Sequence, residues 1–546
     1  MNRSLVGGTC QALAWSLSNP FEQMSDCMKK RKKKMARGSR ARSSLASHKH
    51  VGKQLIAPMM QIQNTTGVSW LNDRLPEVLW AALILGACDR ADGLAVFRRF
   101  CASCRKFGAQ ATGPELNWDI TLSALAHLPV DVTGCILGAL DETGIPRQTL
   151  SPLLLFPDLP GLDRWKESLP PITEADENNA WQALGIAVAS TLDHQSQPST
   201  DIRWMNVLFK ALLGKIHFRR DADDEMVESL RRYPDYGDMR SVRPRIRAME
   251  MIFRGAPNGD VMPSSAWCKD FWDSCLERTQ CLPLEPTQPK DPQPDRDAVA
   301  KDIDDARRNL INHWSESLVT SGLDARHDIT FALAFYALSC LREICMGVNS
   351  RIISGRLLIR TLTEIRINLA FMTRSADPQI WGRFRTYGSG QAKLALLKYE
   401  ETGGDRPSLV SAQTLEALAN EDFFEEFVNI DLGSWSGSDL RRMSEKCDAK
   451  EDYDRYYGWT SAFVHGQWAA ARDAVFATCL NPLHRVHRGP MPSQRPMESC
   501  VPDGFYLVNQ ILSTVDENYP EFSFRLTASS AVNIRDDETT RSAKTE

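Results

Sequence analysis

The sequence predicts an all-α protein built from two helical regions. Apolar residues recur at three- and four-residue steps through most of the chain, strand-like alternation is scarce, and a proline-rich stretch separates two groups of helical segments. No fixed repeat period is present, so a regular solenoid is not expected.

The chain opens with a poor secretory signal, since its first apolar stretch is broken by glycines and Gln11 and has only Arg3 as an amino-terminal charge. Between Lys29 and Lys53 lie eleven Lys or Arg and no acid; a net charge of −4 less those eleven leaves −15 for the rest. This segment lacks apolar periodicity, so residues 1–53 are expected as a basic disordered tail able to hold phosphates, or in part as a leader ahead of a start at Met35.

Helical folding is expected from Gln54. Pro76 and Glu77 suit a first helical turn, and the apolar run Val78–Cys88 that follows is far shorter than the roughly 18–20 residues of a membrane span. A cytoplasmic protein without a membrane partner is the expectation. Further helices are expected near 91–108, 118–129, 131–144, 177–195, 202–218 and 223–235, between Pro, Gly and Asp breaks. Together they make a helical domain over 54–281. Cys101 and Cys104 form the one C-x-x-C, one turn apart, and are read with the other cysteines, fourteen in all, as small core residues of a reduced protein.

Pro283, Pro286, Pro289, Pro292 and Pro294 exclude helix and mark an extended linker over 282–297. Beyond it, an antiparallel bundle is expected over 298–526, with helices near 298–319, 329–346, 350–373, 392–403 and 452–480, and a disordered tail over 527–546.

The chemistry concentrates in this second half. Arg356, Arg360 and Glu364 stand at four-residue steps among apolar neighbours, so they need partners in one another or on a second helix. Tyr457, Ser461 and His465 repeat that spacing in 452–480, with Arg472 further along. If the two rows face one another, a histidine able to exchange a proton would lie beside guanidinium groups able to stabilise phosphoryl oxygens, the chemistry of RNA transesterification. The same residues also suit a structural ion-pair network that fixes helix register.

The segments RLLIRTLTEIRINLAF, WGRFRTYGSGQAKLALLKYE and DYDRYYGWTSAFVHG resemble an uncharacterised bacterial domain of unknown function, over about residues 300–490. Their arrangement is similar to HEPN-type helical domains, many of which are metal-independent ribonucleases of toxin, abortive-infection and anti-phage systems. That resemblance implies a HEPN-like bundle, RNA as partner and a partner encoded in the same operon, while a homodimer through the bundle belongs to a scaffold reading. The Arg-x(4–6)-His pattern of such nucleases is missing before His465 but occurs at Arg308 to His313, a secondary site, and at Arg42 to His48. Two functions stand side by side: a HEPN-like endoribonuclease or defence effector, and a non-catalytic helical scaffold or interaction protein.

No cofactor or metal is expected. His484 and His487 are read as part of a basic surface loop, since Arg485 and Arg488 would repel a cation, and Gly388–Gly390 lacks the flanks of a phosphate loop.

Overall fold

The computed structural model describes residues 44–61, 68–111, 116–216, 224–252, 266–282, 296–317, 324–401 and 407–527. Helices dominate these residues, and strands are confined to two short two-stranded sheets, so the protein is all-α. The Pro-rich stretch, Arg42, and most of both expected tails lie outside the described residues. Part of the amino-terminal tail is structured, contrary to expectation. β1 (Lys49–Val51) pairs antiparallel with β2 (Gln54–Ile56), and Gly52 at φ +57° takes the left-handed position that turns the chain between them.

The chain divides into two compact units. Unit 1 comprises Met1–Leu284 and Thr478–Arg488; unit 2 comprises Glu285–Ala477 and Gly489–Glu546. The stretch 298–526 expected as one continuous bundle is therefore interrupted, because the segment Thr478–Arg488 belongs to unit 1.

In unit 1, Pro76 and Glu77 form the turn leading into α1 (Leu79–Ala87), as their positions predict. There follow α2 (Arg90–Cys104), α3 (Val130–Thr143), α4 (Glu177–Thr191), α5 (Gln197–Leu212), α6 (Met239–Ile252) and α7 (Ala266–Arg278). The core is aromatic: Trp80, Phe97, Phe100, Phe156, Trp204, Phe209, Tyr233 and Phe271 are all fully buried. Their polar atoms are satisfied, with the Trp80 indole donating to the Ile120 carbonyl and the Trp204 indole to that of Leu230, each at 2.8 Å. Cys101 and Cys104 are buried on α2, as core residues should be.

Unit 2 is a bundle of α8 (Arg296–Glu316), α9 (Ala325–Cys345), α10 (Ile353–Arg374), α11 (Ile380–Glu401), α12 (Leu440–Lys446), α13 (Gly458–Val464), α14 (Trp468–Val475) and α15 (Val501–Asn518). Helix α15, which the sequence reading passed over, packs on both α9 and α10 and closes the core with Phe505, Val508, Ile511, Leu512 and Val515. Gly388–Gly390 lies inside α11, and Gly390 allows that helix to approach the Asn429 carbonyl; a Cβ there would stand 2.7 Å from the oxygen.

The long helix expected over 452–480 does not form. A π-turn at Tyr453–Tyr457 leads into α13, which stops at His465; Gly466 at φ +57° then lets the Gln467 amide donate back to the Ala462 carbonyl at 2.9 Å. That left-handed glycine and its backward hydrogen bond terminate a helix. Helix α14 restarts beyond it, and the chain ends this stretch in β3 (Phe476–Thr478), paired with β4 (Arg488–Pro490).

Candidate functional site

The row Arg356, Arg360, Glu364 lies on α10, against which α13 and the π-turn pack. Arg360 is the centre of what the structure brings together. Its guanidinium lies 3.7 Å from the centroid of the Tyr457 ring, and its Nη1 is 2.5 Å from Glu364 Oε1. The Arg360 side chain is 11% exposed and that of Glu364 45%, so the cation is covered while its counter-ion faces water. A cation this far desolvated gains on the order of 2 kcal/mol from an aromatic face. Tyr457 stacks in turn on Tyr453, their ring centroids 4.5 Å apart.

Arg356 points elsewhere. Its Nη1 donates to the Ser350 carbonyl at 2.8 Å and its Nη2 to the Glu498 carbonyl, tying the start of α10 to the segment before α15. Ser461 is half-buried and His465 exposed, and neither side chain makes a hydrogen bond, ion pair or ring contact among the described residues. Because the helix breaks after His465, Arg472 sits exposed on the separate α14.

The secondary pair is not brought together. On α8, Arg308 is exposed and ion-paired with Asp305, whereas the buried His313 uses Nε2 on the Tyr519 carbonyl at 2.8 Å and packs against Phe331 and Phe522. His313 is a core histidine with its polar atom satisfied.

A deeper charged group on the same helix went unread in the sequence. Arg366 is buried, with Nε 3.5 Å from Asp452 Oδ2 and Nη1 donating to Thr514 Oγ1 at 3.3 Å; Asp452 also accepts from the Tyr506 hydroxyl at 3.0 Å. Burial, helped by the Asp452 carboxylate, pushes the Tyr506 phenol up to about 12. Arg366 stands only two residues past Glu364, among positions that read as plain core. Unit 2 also carries a surface groove between α11 and the 421–435 stretch, where Arg385 is held by Asp328 and Asp422 and Arg383 by Asp377.

In unit 1, the loop containing His484 and His487 departs from its reading as a solvated basic loop. His484 is 4% exposed, and two cysteines meet it: Cys479, five residues before, and Cys281, just past α7. The four ligand-type atoms of Cys281, Cys479, His484 and His487 all lie within 4.8 Å of one another. Burial lowers the His484 pKa, opposed by the Thr279 carbonyl and reinforced by His487. Arg485, expected to repel a cation, takes a left-handed φ of 56° and donates to Asn72 Oδ1 at 2.7 Å.

Set beside known families, part of the chain beyond the Pro-rich stretch matches a family model. Residues 327–478 match the family of unknown function DUF5677. The DUF5677 match covers α9 to α14, and so takes in the Arg360–Tyr457 contact and the Arg366–Asp452 pair, while His484 and His487 lie beyond it. No curated protein and no solved structure matches the chain.

Proposed function

We propose that the chain is a non-catalytic helical interaction protein, in which the α10 row locks the bundle. The observation that supports this reading is the commitment of both arginines: Arg360 to Tyr457 and Glu364, and Arg356 to backbone carbonyls. A phosphoryl-transfer site needs guanidinium donors aimed at the substrate oxygens, whereas the Arg356 donors go to backbone carbonyls and the Arg360 guanidinium is covered by a ring and a carboxylate, its Nε and Nη1 buried. Leu409, Phe423, Phe424, Phe427 and Leu432, all at least 60% exposed within a short stretch of unit 2, supply an apolar surface of the kind that partners cover. A second copy of the chain is the partner to test first.

A second reading, a HEPN-like endoribonuclease, draws on a different surface. The exposed His465 lies between the exposed indoles of Trp459 and Trp468 in sequence, giving a proton-exchanging group among rings on which unpaired bases could stack. One experiment separates the two. Wild-type protein and the Arg360→Ala and His465→Ala variants are incubated with cellular RNA and melted, and their mass is measured by light scattering. The scaffold reading expects intact RNA throughout, a dimer mass, and a lowered melting temperature for Arg360→Ala alone. RNA cleaved by wild type and spared by an equally stable His465→Ala would replace it with the nuclease.

A further inference from the structure

The structure assigns a tetrahedral metal site to Cys281, Cys479, His484 and His487, and we propose that it holds a structural zinc ion. All four residues belong to unit 1, three of them in the returning segment Thr478–Arg488 and the fourth just beyond α7.

Three of the six ligand separations match those around a bound ion. Zinc bound at about 2.3 Å to sulfur and about 2.0–2.1 Å to nitrogen in a tetrahedron sets neighbouring sulfur and nitrogen atoms about 3.5–3.6 Å apart. His484 Nδ1 is 3.4 Å from Cys479 Sγ and 3.5 Å from Cys281 Sγ, and His487 Nδ1 is 3.6 Å from Cys281 Sγ. Two thiolates also neutralise the charge of a divalent ion, so the neighbouring arginines oppose binding little. Two sulfur and two imidazole ligands in a closed tetrahedron select zinc among common divalent ions.

The tautomer of His484 points the same way. Thr279 Oγ1 donates its one proton to the Cys275 carbonyl at 2.6 Å, so toward His484 Nε2, 2.8 Å away, it can only accept. The Thr279 carbonyl, 3.1 Å from Nε2, is likewise an acceptor. Nε2 therefore carries the proton, and in the neutral ring Nδ1 presents its lone pair to both sulfurs. The lone pairs of His484 Nδ1 and His487 Nδ1 thus converge with the two sulfurs, and one metal ion would engage all four atoms together. Fixing the far nitrogen on a protein oxygen is how metal-binding histidines are oriented.

The surrounding backbone fixes the loop. The Leu282 amide donates to Cys479 Sγ at 3.2 Å, and the Cys479 amide donates to the His487 carbonyl at 2.8 Å, closing the loop that carries three of the ligands. Asn481 caps the short turn bearing His484 by accepting from the Leu483 amide at 2.9 Å, and its Nδ2 donates to the Gln280 carbonyl at 2.8 Å beside Cys281.

The test uses the full chain, purified reduced and metal-free, titrated with Co²⁺ and then Zn²⁺. About one cobalt per chain should bind with thiolate charge-transfer absorption and the intense visible bands of a tetrahedral ion, and zinc should displace it. Cys281→Ser and His487→Gln change residues that are not fully buried and should keep the wild-type circular dichroism. Both should lose stoichiometric binding, and zinc should raise the unit 1 melting temperature in wild type only. The proposal is overturned by a wild type with no cobalt spectrum, by a Cys281→Ser variant that binds as wild type does, or by peptide mapping that finds Cys281 and Cys479 joined as a disulfide that binds no metal after reduction.

Discussion

Replacing Asp452 with alanine should be among the most damaging single changes in unit 2. The Arg366 and Asp452 side chains are 11% and 6% exposed, and the pair sits where α10 meets the turn before α13. Removing the carboxylate takes the counter-ion from a buried guanidinium that keeps its contact with the Thr514 hydroxyl, and takes an acceptor from the Tyr506 hydroxyl. Breaking a buried ion pair from one side costs about 3–5 kcal/mol. For a unit of this size each kcal/mol moves the melting temperature by about 2–4 °C, so Asp452→Ala should lower the unit 2 transition by about 6–20 °C in calorimetry. The double variant Arg366→Met/Asp452→Leu removes both charges, and should recover most of that loss because the desolvation cost disappears with them. A shift below about 3 °C for Asp452→Ala, or a double variant no better than the single one, would refute the reasoning.

Other consequences are equally direct. In unit 1, burial alone would raise the Asp119 pKa, but the Lys210 ammonium 3.3 Å away, Arg74 and the Ile120 amide together hold it below the ordinary value. Its stabilising contribution is then present above the unfolded carboxylate pKa of about 3.9 and is lost as pH falls through the lower folded value. Lys210→Met should move the acid-unfolding midpoint of unit 1 to higher pH, and an unchanged acid profile would dismiss the pair. In unit 2, Gly355→Ala places a methyl 2.5 Å from the Asn349 carbonyl oxygen and 2.8 Å from Cys500 Sγ, so overpacking should cost about 1–3 kcal/mol in urea denaturation.

The fold class was legible because helical periodicity is local: α1 begins after Pro76 as its sequence dictates, and Cys101 and Cys104 are buried where their apolar neighbours imply. The break after His465 was written in Gly466, but a run of helix-favouring residues on both sides outweighed it in the reading. The facing of Arg360 and Tyr457 could be anticipated from matching four-residue rows, whereas the Arg366–Asp452 pair could not, since Arg366 looks like an ordinary charge in an apolar stretch and Asp452 like one of several charges in a polar one. The cysteine and histidine cluster was half visible. Cys479, His484 and His487 are close in sequence, but the ligand that completes them lies 203 residues before His484, a contact that only the tertiary fold supplies.

Because unit 1 includes Thr478–Arg488, its folding is bound to the order in which the chain is made. A nascent chain extended only to Leu284 has most of the first core but not Leu483, which is buried in it. The missing piece emerges about 200 residues later, a delay of about 10–40 s at ordinary translation rates of about 5–20 residues per second. During that interval all of the unit 2 sequence up to Ala477 is synthesised, so the carboxy-terminal bundle can begin to assemble before the amino-terminal unit is closed. A ribosome that stalls in between leaves a chain with its first core still open, a substrate for chaperones and proteases rather than a finished half-protein.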